Sequence, residues 1–292
     1  MKLLVAVVFA FLAVSALADV EENWEIDWST VVPMTETPGF WDERDIKPVF
    51  YPGRNGRIVG GQVAVPNAHP YQAGLLMRVS ATSTGLCGGS VISSTVVLTA
   101  AHCLPNTQST QIIMGAHSIT VNEPNQQRRT VLPAGYRIHA NYNPRTLLND
   151  IATLILSDPV ILNTFVRASI FPTGNELFNG NVGQVTGWGR ISDSSSATST
   201  TLRIVTNTII TNAVCASTFG TTITASNICM ATTGGRGTCN GDSGGPLTTI
   251  FNGQRIQVGV VSFGASAGCE RGFPAGFARV SSFRAWITAN SS

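Results

Sequence analysis

The chain has 292 residues, enough for one large or two small domains and too many for a miniprotein held together by disulfides alone. Charged residues make up 12% and hydrophobic residues 43%, which excludes charge-driven disorder and leaves material for a sizeable core. A net charge of only +2 argues against a dedicated nucleic-acid binder with a dense cationic face.

The chain opens on Met1-Lys2, an apolar run from Leu3 to Val14 and the small-residue stretch Ser15-Ala16-Leu17-Ala18. This is the pattern of a secretory signal over residues 1–18, with cleavage after Ala18. The apolar run is shorter than the ~20 residues a membrane-spanning helix needs, so a secreted, extracellular protein is expected and a membrane anchor is not. Residues 19–57 then carry nine acids against four bases, and three of the chain's five tryptophans: Trp24, Trp28 and Trp41. They read as a removable propeptide, either a disordered acidic tail or a segment that docks through aromatic anchors. From Ile58 onward thirteen arginines and no lysine stand against seven acids, so a −5 leader precedes a +6 body. The two are electrostatically complementary, although screening over ~8–10 Å limits what charge alone can hold.

Within residues 58–292, short runs rich in Val, Ile and Thr alternate with Gly, Pro, Asn and Ser clusters. Ser90 to Thr99, Ile151 to Leu156, Leu202 to Ile210 and Gln257 to Ser262 read as strands. Strands at this spacing build sandwiches or barrels, so an all-β fold is expected. Only the C-terminus reads as a helix: Phe283, Trp286 and Ile287 stand at i, i+3, i+4 after the capping candidates Ser281 and Ser282. Six cysteines, all after Ile58, suit an oxidising compartment and three disulfides. Spacing alone leaves the pairing open; the most local option is Cys87–Cys103, Cys215–Cys229 and Cys239–Cys269. No C-x-x-C pair or histidine-rich spacing supports zinc, and no metal or cofactor is expected.

Chemistry-bearing residues fall in three places. His102, in Thr99-Ala100-Ala101-His102-Cys103, can exchange a proton near neutral pH, and a disulfide at Cys103 would hold its backbone. His69, His117 and His139 lack such a setting and read as surface or packing residues. Asp150 heads the apolar run Ile151 to Leu156, where burial would demand a donor such as an imidazole N–H; a turn cap is the plainer alternative. Ser243 lies in Cys239-Asn240-Gly241-Asp242-Ser243-Gly244-Gly245-Pro246. Glycines around a serine permit a sharp turn that presents the hydroxyl and leaves main-chain N–H groups open to an oxyanion.

Together with Arg57-Ile58-Val59-Gly60-Gly61 and Thr186-Gly187-Trp188-Gly189, these segments resemble the chymotrypsin-fold (trypsin-like) serine proteases, in particular chymotrypsin-like and invertebrate collagenolytic members. The resemblance covers essentially Ile58 to Ser292, with histidine, aspartate and serine in the family's order. It implies two six-stranded antiparallel β-barrels with a C-terminal helix, and a crossover at about residues 160–172. It also implies Ser243 as nucleophile, His102 as general base and then acid, Asp150 as its orienting partner, and the backbone N–H groups of Gly241 and Ser243 as oxyanion hole. Asp242 would pair with the α-ammonium released by cutting Arg57–Ile58, making the chain a zymogen opened by a trypsin-like protease. A propeptide without cysteine is then expected to leave once cut.

In the implied specificity pocket, Gly237 stands where trypsin-like members carry the aspartate that binds Lys or Arg. Thr238, Ser262, Phe263, Gly264 and Ala275 complete a wide neutral pocket suited to Phe, Tyr, Trp, Leu or Met. Glu270 lies nearby in sequence and leaves a broader specificity open. Ala116 and His117 stand where calcium-binding relatives begin their acidic ligands, so calcium is not expected, and the C-terminal sequon at Asn290 is not expected to be glycosylated. Three functions compete: a digestive endopeptidase, a cascade protease using the propeptide as a partner module, and an inactive binding homologue. The intact triad and the absence of propeptide cysteines favour the first. Expected partners are protein or peptide substrates, the activating protease and protein protease inhibitors; the enzyme is expected to be a monomer, with no nucleic acid and no membrane.

Overall fold

β-Branched runs punctuated by glycine and proline give a mostly β chain. The computed structural model describes residues 25–40 and 60–292; residues 1–18, Arg57, Ile58, Trp24 and Trp41 lie outside the described residues. In chain order the strands are β1 (Val31–Pro33), β2 (Gln62–Val63), β3 (Gln72–Ser80), β4 (Ser83–Val91), β5 (Val96–Thr99), β6 (Ser109–Met114), β7 (Gln127–Val131), β8 (Tyr136–Ile138) and β9 (Ala152–Ile155). They continue with β10 (Val182–Gly187), β11 (Arg203–Ile210), β12 (Asn227–Met230), β13 (Pro246–Phe251), β14 (Gln254–Phe263) and β15 (Ala275–Arg279). Two α-helices, α1 (Asn212–Phe219) and α2 (Val280–Ala289), complete the described residues.

The first sheet runs β7-β6-β3-β4-β5-β9-β8, antiparallel, with β1 added in parallel on β4. The second runs β10-β13-β14-β15-β12-β11, and a β10–β11 pairing closes it into a six-stranded barrel, with β2 laid on the β11 edge. The first sheet curls without such a closing pair among the described residues, so the two halves of the fold differ in closure. Alternation along β3 shows how the halves share a core. Leu75 and Met77 enter the first core beside Phe283 and Ile287 of α2, whereas Leu76 points into a second layer with Leu86, Ile113, Trp188 and Leu202. Val185, Val205, Ile228, Leu247 and Phe277 fill the closed barrel.

Three local expectations are corrected. The run Ser90 to Thr99 is two strands, because the Ser93 hydroxyl accepts the Thr95 N–H at 3.2 Å and turns the chain between β4 and β5. Ser281 and Ser282 do not cap α2; they lie inside it, and the N-cap position is Arg279, whose guanidinium instead donates to the Asn227 carbonyl at 2.8 Å. Helix α1 escaped the sequence reading because it has no apolar stripe: only Cys215 is buried, and the helix is held by the Thr211 cap and by Cys215–Cys229. The cysteines pair locally as Cys87–Cys103, Cys215–Cys229 and Cys239–Cys269. All six sulfurs are thereby consumed.

Candidate active site

Strand register brings the first two groups together. β5 and β9 pair antiparallel with Thr99 opposite Ala152, so the 3-10 turn Ala101–Cys103 after β5 lies beside Asp150 before β9. His102 Nδ1 is 2.7 Å from Asp150 Oδ2, and the His102 backbone N–H donates to Oδ1 at 2.8 Å. The Ser262 hydroxyl, near the end of β14, donates to Oδ2 at 2.5 Å. Asp150 and His102 are 1% and 2% exposed, so the carboxylate sits in a poorly solvated place with three protein donors in place of water. With the hydrogen on Nδ1, Nε2 is the basic nitrogen of the ring. The Cys87–Cys103 disulfide ties this turn to β4.

Ser243 arrives on the loop between β12 and β13. The Asp242 N–H donates to the Cys239 carbonyl at 3.0 Å and the Gly245 N–H to the Asp242 carbonyl at 2.9 Å, which makes the turn tight. Gly244 has φ 80, and a Cβ there would lie 2.2 Å from Thr99 Oγ1 and 2.5 Å from the Gly88 carbonyl. Only glycine lets the loop come this close to the first sheet. The Gly88 N–H donates to the Ser243 carbonyl at 2.7 Å, and Cys103 Sγ lies 3.7 Å from the same oxygen. Ser243 is thus pinned beside the residue that follows His102, where the two sheets meet.

Asp242 is fully buried. Its carboxylate accepts the backbone N–H groups of Gly189 and Cys239, both at 2.9 Å. Burial pushes it up to about 6, against the pull of those two donors. No side-chain cation pairs with it among the described residues.

The sequence-predicted pocket residues occupy different roles. A Cβ at Gly237 would lie 2.6 Å from Thr232 Cγ2, so Thr232 fills the space an aspartate would need, whereas a Cβ at Gly264 would meet open space. Phe263 lies against Gly276 and packs edge-on with Phe219 at 5.1 Å. Thr238 is half-buried and Ser262 buried; Ala275 is in the core of the closed barrel. Glu270 accepts the Asp193 N–H at 2.8 Å, and burial, with the Asp193 charge behind it, raises its carboxyl. Thr232, Phe219 and Asp193 were not singled out from sequence, because no motif surrounds any of them: Phe219 and Asp193 come from distant segments, and Thr232 meets Gly237 only through the path of the loop that joins them.

The leader also reaches this place. Phe40 meets the His102 ring edge-on at 6.2 Å between centroids, and the Glu36 carboxylate pairs with Arg190 and accepts Asn240 Nδ2 at 2.8 Å. Of the expected tryptophan anchors, Trp28 is half-buried; Met34, Glu36 and Phe40 supply the other contacts.

A closed six-stranded barrel facing a curled half-barrel, with a C-terminal helix and these three segments at the seam, defines the chymotrypsin-fold class of serine endopeptidases. The Trypsin family model matches residues 58–287, and the chain belongs to that family. It is 43% identical over 230 residues to brachyurin of Leptuca pugilator, covering 79% of this chain and 96% of that relative. It is 35% identical over 237 residues to a chymotrypsin of Phaedon cochleariae, covering 80% and 82%. The solved structure of HL collagenase superposes with a TM-score of 0.71 at 33% identity, covering 79% of this chain and 97% of that one. No helix among the described residues is long and apolar enough to cross a membrane.

Proposed function

We propose that the chain is a secreted, digestive serine endopeptidase made as a zymogen, opened at Arg57–Ile58, that cuts after large apolar or aromatic residues. The observation that carries this reading is the buried Asp150–His102 pair, 2.7 Å apart, beside the glycine-flanked Ser243. In the proposed mechanism Ser243 Oγ attacks the scissile carbonyl while His102 Nε2 takes its proton. Asp150, held by Ser262 and the His102 N–H, keeps the ring oriented and stabilises the imidazolium. The Gly241 and Ser243 N–H groups receive the oxyanion; removing one oxyanion donor from a serine protease of another fold costs ~2.7–4 kcal/mol. His102 then protonates the leaving amine, and water repeats the sequence on the acyl-enzyme.

Apolar specificity is supported by Thr232 under Gly237 and by the open wall at Gly264. An apolar side chain would be stabilised by burial there, whereas a cation would lack a facing carboxylate, since Glu270 is engaged with the Asp193 backbone. The names chymotrypsin and collagenase among the relatives favour apolar peptide bonds, and a collagenolytic variant of the same reading. The test is to cut the precursor with trypsin, profile it on a peptide library and add fibrillar collagen, with Ser243→Ala in parallel. The expected result is cleavage after Phe, Tyr, Leu and Met, with phosphonate labelling lost in the variant. Equal turnover of Arg and Phe peptides would refute the pocket reading, and labelling that survives Ser243→Ala would refute the nucleophile.

A further inference from the structure

Residues 25–40 lie on the catalytic unit as an added strand with anchors on either side. β1 runs parallel to β4, with Val31 opposite Thr84 and Pro33 opposite Leu86. The next residue, Met34, is 2% exposed and rests on Gly85, where a Cβ would come within 2.5 Å of its sulfur. The seat for Met34 therefore exists because residue 85 has no side chain. Ile26, Trp28 and Val31 pack on the layer containing Leu76, Leu86 and Trp188. Glu36 is clamped between Arg190 and Asn240, and Asn240 immediately precedes the expected oxyanion donor Gly241. Phe40, 6% exposed, ends the segment against the His102 ring. Backbone pairing to β4 and the Phe40–His102 contact fall on the first sheet's side of the cleft, and the Glu36 clamp falls on loops of the second, so the segment bridges the seam between them. The Ser262–Gly264 wall belongs to the second sheet, and β1 has no pairing with it.

The composition of the segment adds a second argument. Residues 25–40 contain three acids and neither lysine nor arginine. A protease that cuts after basic residues can open Arg57–Ile58 and leave this segment whole. While tethered, such a ligand experiences an effective concentration in the millimolar range; once cut, its occupancy depends on its own affinity.

We propose that residues 25–40 are an inhibitory ligand of the β4, Arg190 and Asn240 surface, and that they stay bound after the Arg57–Ile58 cut, so that release is a second activation step. This rests on the proteolytic reading of the site. It replaces the expectation that the propeptide leaves as soon as it is cut. The partner this surface fits is an acidic peptide with a three-residue extended stretch between 3-10 turns, a methionine three residues after its first paired position, a carboxylate two residues further on and a terminal aromatic ring. The chain's own leader meets that description by added-strand recognition.

The test uses the full-length precursor and its Met34→Asp and Glu36→Ala variants, whose catalytic bodies are unchanged. Each is cut with trypsin and passed through size-exclusion chromatography at micromolar concentration. The wild-type fragment containing residues 25–40 is expected to co-elute with the body, and the variant fragments to separate and yield leader-free enzyme. A synthetic peptide of residues 25–40 should inhibit that enzyme competitively, and its Glu36→Ala form about tenfold more weakly. A wild-type fragment that elutes apart from the body overturns the proposal, as does a peptide that leaves hydrolysis unchanged at about 100 μM, near the weak end of peptide affinities. Elution is read without turnover: an enzyme inert toward every peptide would defeat the proteolytic reading, while retention of the leader would still be decided.

Discussion

Asp242 shows what one carboxylate does when its partners are main-chain N–H groups. Burial raises it from 3.8 to about 6 in the uncut chain. Because the folded state prefers the protonated form, this group favours folding most at low pH, and that contribution is lost as pH rises through about 6. At ~1.4 kcal/mol per pH unit the loss is on the order of 3 kcal/mol. An ammonium delivered by the cut at Ile58 would reverse the dependence by stabilising the charged carboxylate. The Arg57→Gln precursor is expected to lose about that much stability in urea between pH 4 and pH 7 relative to Arg57→Gln/Asp242→Asn. Parallel pH profiles for the two would show that Asp242 does not titrate in this range. At this scale His102, Asp150 and Ser243 were legible as candidates, because each sits in a short motif whose neighbours shape its local geometry. Thr232 was not, since its importance is the space it takes from Gly237, 5 positions away by a path the loop decides.

At the scale of elements, the end of β14 does two jobs. Ser262 holds Asp150, and two residues later a Cβ at Gly264 would meet open space, where the proposed pocket would have its open wall. Gly264→Val adds bulk where a Cβ meets nothing, so folding should be little affected. Its kcat/KM for a Phe peptide should fall about 100-fold while an Ala peptide is retained, within the range that pocket shape can discriminate. Equal losses on both peptides would place Gly264 outside the pocket. Strands were easier to read than helices here. β-Rich runs announced β9, β11 and β14, whereas α1 depends on a Thr211 cap and a disulfide, features that do not form an apolar period. The Ser93 turn was hidden inside what looked like one continuous run, since serine is acceptable in either setting.

At the scale of the whole molecule, the seam between the sheets carries polar as well as apolar contacts. The Thr186 hydroxyl of β10 donates to Gln72 Oε1 of β3 at 2.6 Å. Nearby, His69 lies within 3.3 Å of Gln184 and Tyr71, and burial, followed by the Arg255 charge, lowers it to about 4. A histidine kept neutral by folding supports stability above its ordinary value of 6.5, and that support fades as pH falls toward 4. His69→Gln should therefore narrow the drop in Tm between pH 7 and pH 4 relative to the wild type. A wild-type drop reproduced in full by the variant would show that the seam does not sense this proton.

Sequence by itself determined the class of chemistry and the β architecture. Both are written in local patterns: a glycine-flanked serine, a histidine beside a cysteine, an aspartate heading a strand, and turn residues at short intervals. It also marked the leader as a separate acidic piece of chain. Only the tertiary structure decided that residues 25–40 add a strand to β4, that the second sheet closes while the first curls, and that Thr232 stands beneath Gly237. These depend on which distant surfaces have room for one another. A missing side chain at Gly85 or Gly237 becomes meaningful only when Met34 or Thr232 is brought into the space it leaves.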